Sequence, residues 1–249
     1  FSIAMVALAA IAFTSCNKTN NGDNGGEETV KKIARIVKLG DYSYTYNANG
    51  TVKSVTENWD GGSETHDFVY EGSNLTIKVG DATRYTVKLN DKGYATEVTK
   101  VTDSEVYTYT YDAAGFCVSC KLNGVDACQQ SIDDNCVEYW TRAKKNEKGE
   151  LDHWRHKDHT YLSKDNLGDL HPEWAEDFGQ KRWFYETGLL GRGSAKLMST
   201  AQWDDSEKWA KYAYEFDSNG LPTKETKNYG EKGKEEFDTE YTITWELIK

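Results

Sequence analysis

The sequence predicts an all-β chain, an antiparallel meander of hairpin repeats. Three observations carry that expectation. Only two prolines occur in 249 residues, against 16 tyrosines and 8 tryptophans, a composition that suits pleated sheet and rarely interrupts its ladders. An Asn/Asp-x-x-Gly turn recurs at the end of alternating aromatic or β-branched runs, and a similar run resumes after each copy.

The copies are Tyr44-Thr45-Tyr46-Asn47-Ala48-Asn49-Gly50, Val87-Lys88-Leu89-Asn90-Asp91-Lys92-Gly93 and Tyr109-Thr110-Tyr111-Asp112-Ala113-Ala114-Gly115. Two more are Lys144-Lys145-Asn146-Glu147-Lys148-Gly149 and Glu215-Phe216-Asp217-Ser218-Asn219-Gly220. An Asn or Asp at the first turn position hydrogen-bonds backbone two residues on, and Gly takes the left-handed conformation that closes the loop as a bulge. Each copy therefore reads as a hairpin connection. Tyr70-Glu71-Gly72-Ser73-Asn74-Leu75 is a looser version. The Gly93 to Gly115 interval of 22 residues makes one two-stranded unit, and longer intervals hold a degenerate unit or an insertion.

The amino-terminal segment is of another kind. Phe1–Phe13 is apolar but too short to span a bilayer, a length that suits the core of a signal peptide. Thr14 and Ser15 then precede Cys16, after which Asn17–Glu28 has no hydrophobic period. Residues 1–15 are thus expected to be a signal peptide whose basic start lies upstream, 16–30 a tether, and 31–249 a single β domain.

Residues 11–16 resemble the lipobox of bacterial lipoproteins, with Phe13 where a leucine is usual; the likeness implies lipidation at Cys16. The Tyr-x-Tyr-Asp-x-x-Gly turns resemble tyrosine–aspartate (YD) repeats. Over residues 30–249 the chain is similar to a family of gut-bacterial lipoproteins of unknown function, which implies a porin-like antiparallel β-barrel, closed or open. It also implies a Gram-negative cell envelope location, lipid-anchored to the outer membrane on its periplasmic or its cell-surface side. It brings no catalytic residue. Strands such as Thr51–Glu57 and Thr223–Lys227 carry charge on one face and little grease on the other, so the barrel is expected to be soluble, not lipid-facing. Tyr241–Leu247 closes the chain as a clean strand.

Region 156–200 shows no repeat and reads as an insertion of loop and short helix, with Pro172 in a first turn after His171 and a loop at Gly188–Gly193. Long insertions in a β scaffold are where binding sites concentrate. Trp174, Trp183, Phe184 and Tyr185 are the candidate ligand platform, since exposed aromatic rings stack on sugars. Trp59, Trp140, Trp154, Trp203, Trp209 and Trp245 fall in strands and are expected to pack against the sheet.

Cys117, Cys120, Cys128 and Cys136 form an even set, which favours disulfides in an exported protein. The Asn123-Gly124 turn would set Cys120 opposite Ala127 and Ser119 opposite Cys128, favouring Cys117–Cys128 and Cys120–Cys136. Zinc is the rival, but residues three apart on a strand point to opposite faces. His153, His156 and His159 are a second metal alternative by ligand type.

The net charge of −11 argues against a nucleic-acid partner and against electrostatic docking on anionic lipid. Gly-x-Ser-x-Gly is absent, and Gly191–Lys196 fails the phosphate-loop spacing; no catalytic residue or cofactor is expected. The membrane is met through the anchor only. The function that follows is a non-catalytic binding or interaction module whose partner is a glycan or an envelope protein. The alternative is an envelope hydrolase of polysaccharide, which needs a carboxylate pair the sequence does not locate.

Overall fold

A computed structural model describes residues 32–145, 148, 151–171, 179–203, 208–234 and 236–248. Its strands are β1 (Ala34–Leu39), β2 (Tyr42–Tyr46), β3 (Val52–Trp59), β4 (Gly62–Glu71), β5 (Asn74–Val79), β6 (Ala82–Leu89), β7 (Ala95–Lys100) and β8 (Glu105–Tyr111). They continue as β9 (Cys117–Leu122), β10 (Val125–Asp133), β11 (Cys136–Lys145), β12 (Leu151–Asp165), β13 (Lys196–Trp203), β14 (Lys208–Phe216), β15 (Pro222–Glu231) and β16 (Phe237–Leu247). Each pairs antiparallel with its sequence neighbours, and β16 returns to β1, with Ala34 opposite Leu247. The meander is therefore a closed barrel.

Turn chemistry explains the hairpins. In four connections the first turn residue and the Gly repeat one pattern: Asn47, Asn90, Asp112 and Asp217 each accept the Gly N–H and donate across the loop. Asp112 Oδ1 also accepts from Gly115 N and Phe116 N at 2.8 Å each, and Asp217 Oδ1 accepts from Asn219 N and Leu221 N. The four glycines have φ between +81° and +97°, where a Cβ is penalised. In every case a register shift sits one residue before the turn, at Thr45/Tyr46, Lys88/Leu89, Thr110/Tyr111 and Glu215/Phe216. The expected copy at Asn146–Gly149 lies outside the described residues apart from Lys148. These connections crowd one end of the barrel, the turn rim. The opposite, far rim is made by tighter links such as Asn123-Gly124, both left-handed.

Alternation sorts the strands into two faces. Val55, Phe68, Ile77, Val98, Trp140 and Ala201 point inward and are buried. Outward positions pair as Thr56–Thr65, Thr110–Ser119, Lys88–Glu97 and Arg35–Glu246. Exposed large apolar side chains, among them Trp59, Val69 and Phe237, are scattered. Among the described residues this outer face lacks the continuous apolar band that hydrocarbon requires. Trp59 is 53% exposed at the end of β3, where its ring lies over Gly62, its partner on β4.

A barrel of this strand number is too wide for wall side chains to fill alone. Between β12 and β13 the described residues, 166–171 and 179–195, turn into the interior. The insertion is shorter than the expected 156–200, because β12 runs to Asp165 and β13 starts at Lys196. A helical turn there, α1 (Trp183–Glu186), has all four residues buried. Of the expected helix at His171-Pro172, only His171 is among the described residues.

Candidate functional site

The insertion is anchored at the turn rim, where Asn166 ties its two legs together. The Asn166 amide donates to Leu170 O at 2.9 Å and Ser194 O at 3.0 Å, while its oxygen accepts from Leu170 N. Asp169 accepts from Gly193 N at 2.7 Å and faces His171 at 3.5 Å. Burial would raise the Asp169 carboxyl, but His171, Lys32 and the Gly193 N–H outweigh it and hold the group well below the usual carboxylate range.

The segment then reaches the far-rim half of the barrel. Gln180 donates to Tyr109 Oη at 2.7 Å, and Lys181 pairs with Glu57 on β3. From there α1 heads back. Trp183 meets His66, Phe68 and Tyr85 at 5.1, 5.6 and 6.0 Å between ring centroids, and Tyr185 stacks on His171 at 4.6 Å. Arg182 donates to Glu186 at 2.8 Å, lies 3.4 Å from Glu225 on β15, and sits over the Tyr241 ring on β16. Both carboxylates are wholly buried. Burial pushes the Glu186 carboxyl up, and Arg182 and His171 offset only part of the rise. The return leg is stitched to the wall by Ala95 N donating to Leu189 O and by Tyr111 Oη donating to Ala95 O and Leu189 O. The segment thus bonds to strands around the circumference and acts as a plug.

The plug corrects the ligand-platform expectation. Trp183, Phe184 and Tyr185 are 0, 0 and 3% exposed, so they form the core of the lumen, not a surface on which a sugar could stack; Trp174 lies outside the described residues. The inference failed because an insertion in a wide barrel has an empty lumen to fill, so its aromatic residues turn inward.

The cysteines are corrected too. Of two bulges, one facing Thr110 and Tyr111 of β8 and one between Asp126 and Cys128 of β10, the second places Cys120 directly opposite Cys128, and Ser119 opposite Gln129. The first bulge also brings Cys117 onto the inner face with Cys120, which strict alternation forbids. All four cysteines are buried, with no disulfide among them, and the Cys117–Cys128 and Cys120–Cys136 pairings do not follow from this register. Burial pushes the Cys117 thiol well up.

His153 and His156 fall on β12, with side chains outside the described residues. His159 is buried beside a cavity of about 260 Å³ with Cys136, Asp158 and Tyr161. No group of three or more His, Cys, Asp or Glu arranged for a metal is found among the described residues. Cys16 lies outside them as well.

Clefts remain at both ends of the plug. The turn-rim cleft, about 650 Å³, is lined by Tyr46, Tyr70 and Tyr94, by Asn49, Asn90, Thr51 and Ser73, and by Glu186 to Leu189 of the plug. The three tyrosines are half-buried. Tyr46 is braced by donating to Ile36 O at 2.6 Å and by Arg35 stacked at 4.2 Å from its ring centroid; Tyr94 leans on Tyr111 at 5.2 Å. Glu186 is among the residues lining this cleft, and its Oε2 is buried without a hydrogen bond. The sequence held one signal for part of this arrangement: Arg182 and Glu186 are four apart, the spacing of a helical ion pair. Tyr46 sits inside the turn motif that predicted the hairpins, but nothing local says that it faces a cleft.

No protein-family model matches the chain, and no curated protein matches it. Among solved structures, a porin-like protein from Bacteroides uniformis is 18% identical with a TM-score of 0.60, covering 83% of this chain and 90% of that one. A porin-like protein from Bacteroides vulgatus is 11% identical with a TM-score of 0.51, covering 86% and 99%. The chain shares the porin-like barrel fold of these proteins.

Proposed function

We propose that the chain is a non-catalytic, lipid-anchored binding module of a Gram-negative cell envelope, and that its turn-rim cleft takes a neutral glycan. The observation that carries the ligand class is the lining of that cleft. Three tyrosine rings, two of them braced, stand among amide and hydroxyl side chains over a volume of about 650 Å³, a mixture of apolar faces and hydrogen-bonding groups that suits a sugar. The filled lumen behind the cleft and the polar outer wall argue for binding rather than conduction across a bilayer. The leader and Cys16 support an anchor by sequence alone, and the Bacteroides origin of the porin-like neighbours supports an envelope location.

A glycan array with the purified chain, followed by calorimetry on any hit, tests the ligand. Tyr70→Ala and Tyr94→Ala should each weaken binding tenfold or more. No bound glycan, or affinity unchanged in both variants, removes the proposal. Hydrolysis of the hit during the titration would favour the envelope hydrolase instead. Labelling with a radioactive fatty acid that disappears in Cys16→Ala would establish the anchor.

A further inference from the structure

The far rim carries a cleft of different chemistry. It encloses about 450 Å³, with Arg84, Lys100 and Lys181 as its cations and Glu64 and Asp103 as its acids. Basic side chains outnumber acidic ones here, in a chain whose net charge is −11. The plug supplies one wall through Gly179–Lys181, and β4, β6, β7 and the turn after β7 supply the others.

Two buried polar groups line this cleft with their hydrogen bonding incomplete. His66 is 2% exposed, and neither ring nitrogen makes a hydrogen bond; Glu64 Oε1 is 3.2 Å from Nε2 but out of line for one. Burial pushes the imidazole down, so near neutral pH the ring offers one donor and one acceptor. Gln180 spends its amide N–H on Tyr109, leaving Oε1 buried and without a partner. Folded proteins rarely bury such groups unless something meets them. The Arg84 and Glu64 side chains stand 3.7 Å apart, beyond hydrogen-bond range, so the planar fork of Arg84 keeps its capacity for a two-point contact.

We propose that this far-rim cleft is a second ligand site, separate from the turn-rim cleft, for a small carboxylate that brings its own hydrogen-bond donor. Arg84 receives the carboxylate in a forked contact, with Lys181 adding charge. Gln180 Oε1 accepts from the ligand's hydroxyl or amino group, and His66 completes the floor against Trp183. Acidic sugars and amino acids share this chemistry. A neutral sugar lacks the group that Arg84 selects.

Calorimetry on the full chain tests the site with three probes: D-galacturonate, L-alanine and neutral D-galactose. Either carboxylate should bind at least tenfold more tightly than galactose, and which of the two binds identifies the source of the carboxylate. Arg84→Ala should cost tenfold or more. Arg84→Lys, which keeps the charge but loses the fork, should fall between. Arg84 is 39% exposed in its side chain, so thermal midpoints of both variants should match the parent and separate lost binding from lost fold. All titrations are run in the Tyr70→Ala background, which disables the turn-rim cleft so that a sugar held there does not enter the comparison. Binding of neither carboxylate, equal binding of galactose, or indifference to Arg84→Ala overturns the proposal.

Discussion

The wall and the plug are cut from one chain yet held by different physics. The wall is repetitive. Each hairpin closes on its own turn, pairs with two neighbours, and exposes an outer face of Thr, Lys and Glu to water. The plug does not repeat: it joins the helical turn α1, an aromatic cluster through Trp183, and Arg182 between two buried carboxylates. Damage to one wall turn stays local, because the ladders on either side remain. Damage to the plug spreads, because its contacts lie on strands from β3 to β16.

That contrast is broken most directly at the plug. Trp183→Ala removes a fully buried ring and should cost about 3–5 kcal/mol. Arg182→Met leaves Glu186 and Glu225 without their shared cation and should cost a similar amount, about 3–5 kcal/mol. Urea unfolding followed by tryptophan fluorescence measures both. A cost near that of an exposed wall residue in either variant would mean that the plug does not hold the barrel together.

Glycines sharpen the comparison, because one residue type serves both regions. Gly191 lies on the return leg at φ +86°, and a Cβ there would meet the Gly115 carbonyl oxygen at 2.4 Å. Gly191→Ala therefore combines left-handed strain with a backbone clash at the contact between plug and wall. The expected cost is about 2–4 kcal/mol, read from the shift in urea midpoint.

The wall was largely legible in the sequence and the plug was not. Asn47, Asn90, Asp112 and Asp217 act within five residues of themselves, so their chemistry is written locally. Strand number was harder, since Asp60-Gly61 and Gly80-Asp81 turn the chain without the longer motif. The cysteine register failed over a single residue: a bulge at Asp126–Cys128 shifts it, and nothing in Asn123-Gly124 announces that bulge. Trp183 and His66 meet only because the lumen must be filled, a constraint that exists once the barrel closes. A cleft assembled from β4, β6, β7 and the plug has no signature within any one of them.

Acid probes the anchor of the plug with a smaller effect. The Asp169 carboxyl is held below its unfolded value, so the stability it adds is present above about pH 4 and is lost as pH falls through the acid range. Asp169→Asn should cost about 1–2 kcal/mol at pH 6.5. The gap between variant and parent should begin to narrow by pH 3.5, as the unfolded parent takes up a proton that the folded carboxylate still refuses. A gap independent of pH would assign the cost to packing, not to the carboxylate facing His171 and Lys32.

The smallest effect belongs to the wall. Gly50 has φ +86°, matching Gly191, yet a Cβ there would find no atom within 4 Å. Gly50→Ala therefore isolates the backbone penalty, about 1 kcal/mol. The turn can accept it, because Asn47 N still donates to Thr51 O and β2 stays paired with β3. Two glycines of equal φ should then differ in cost by the contact alone. A Gly50→Ala cost equal to that of Gly191→Ala would show that conformation dominates both, and the division between local wall and shared plug would fail at these positions.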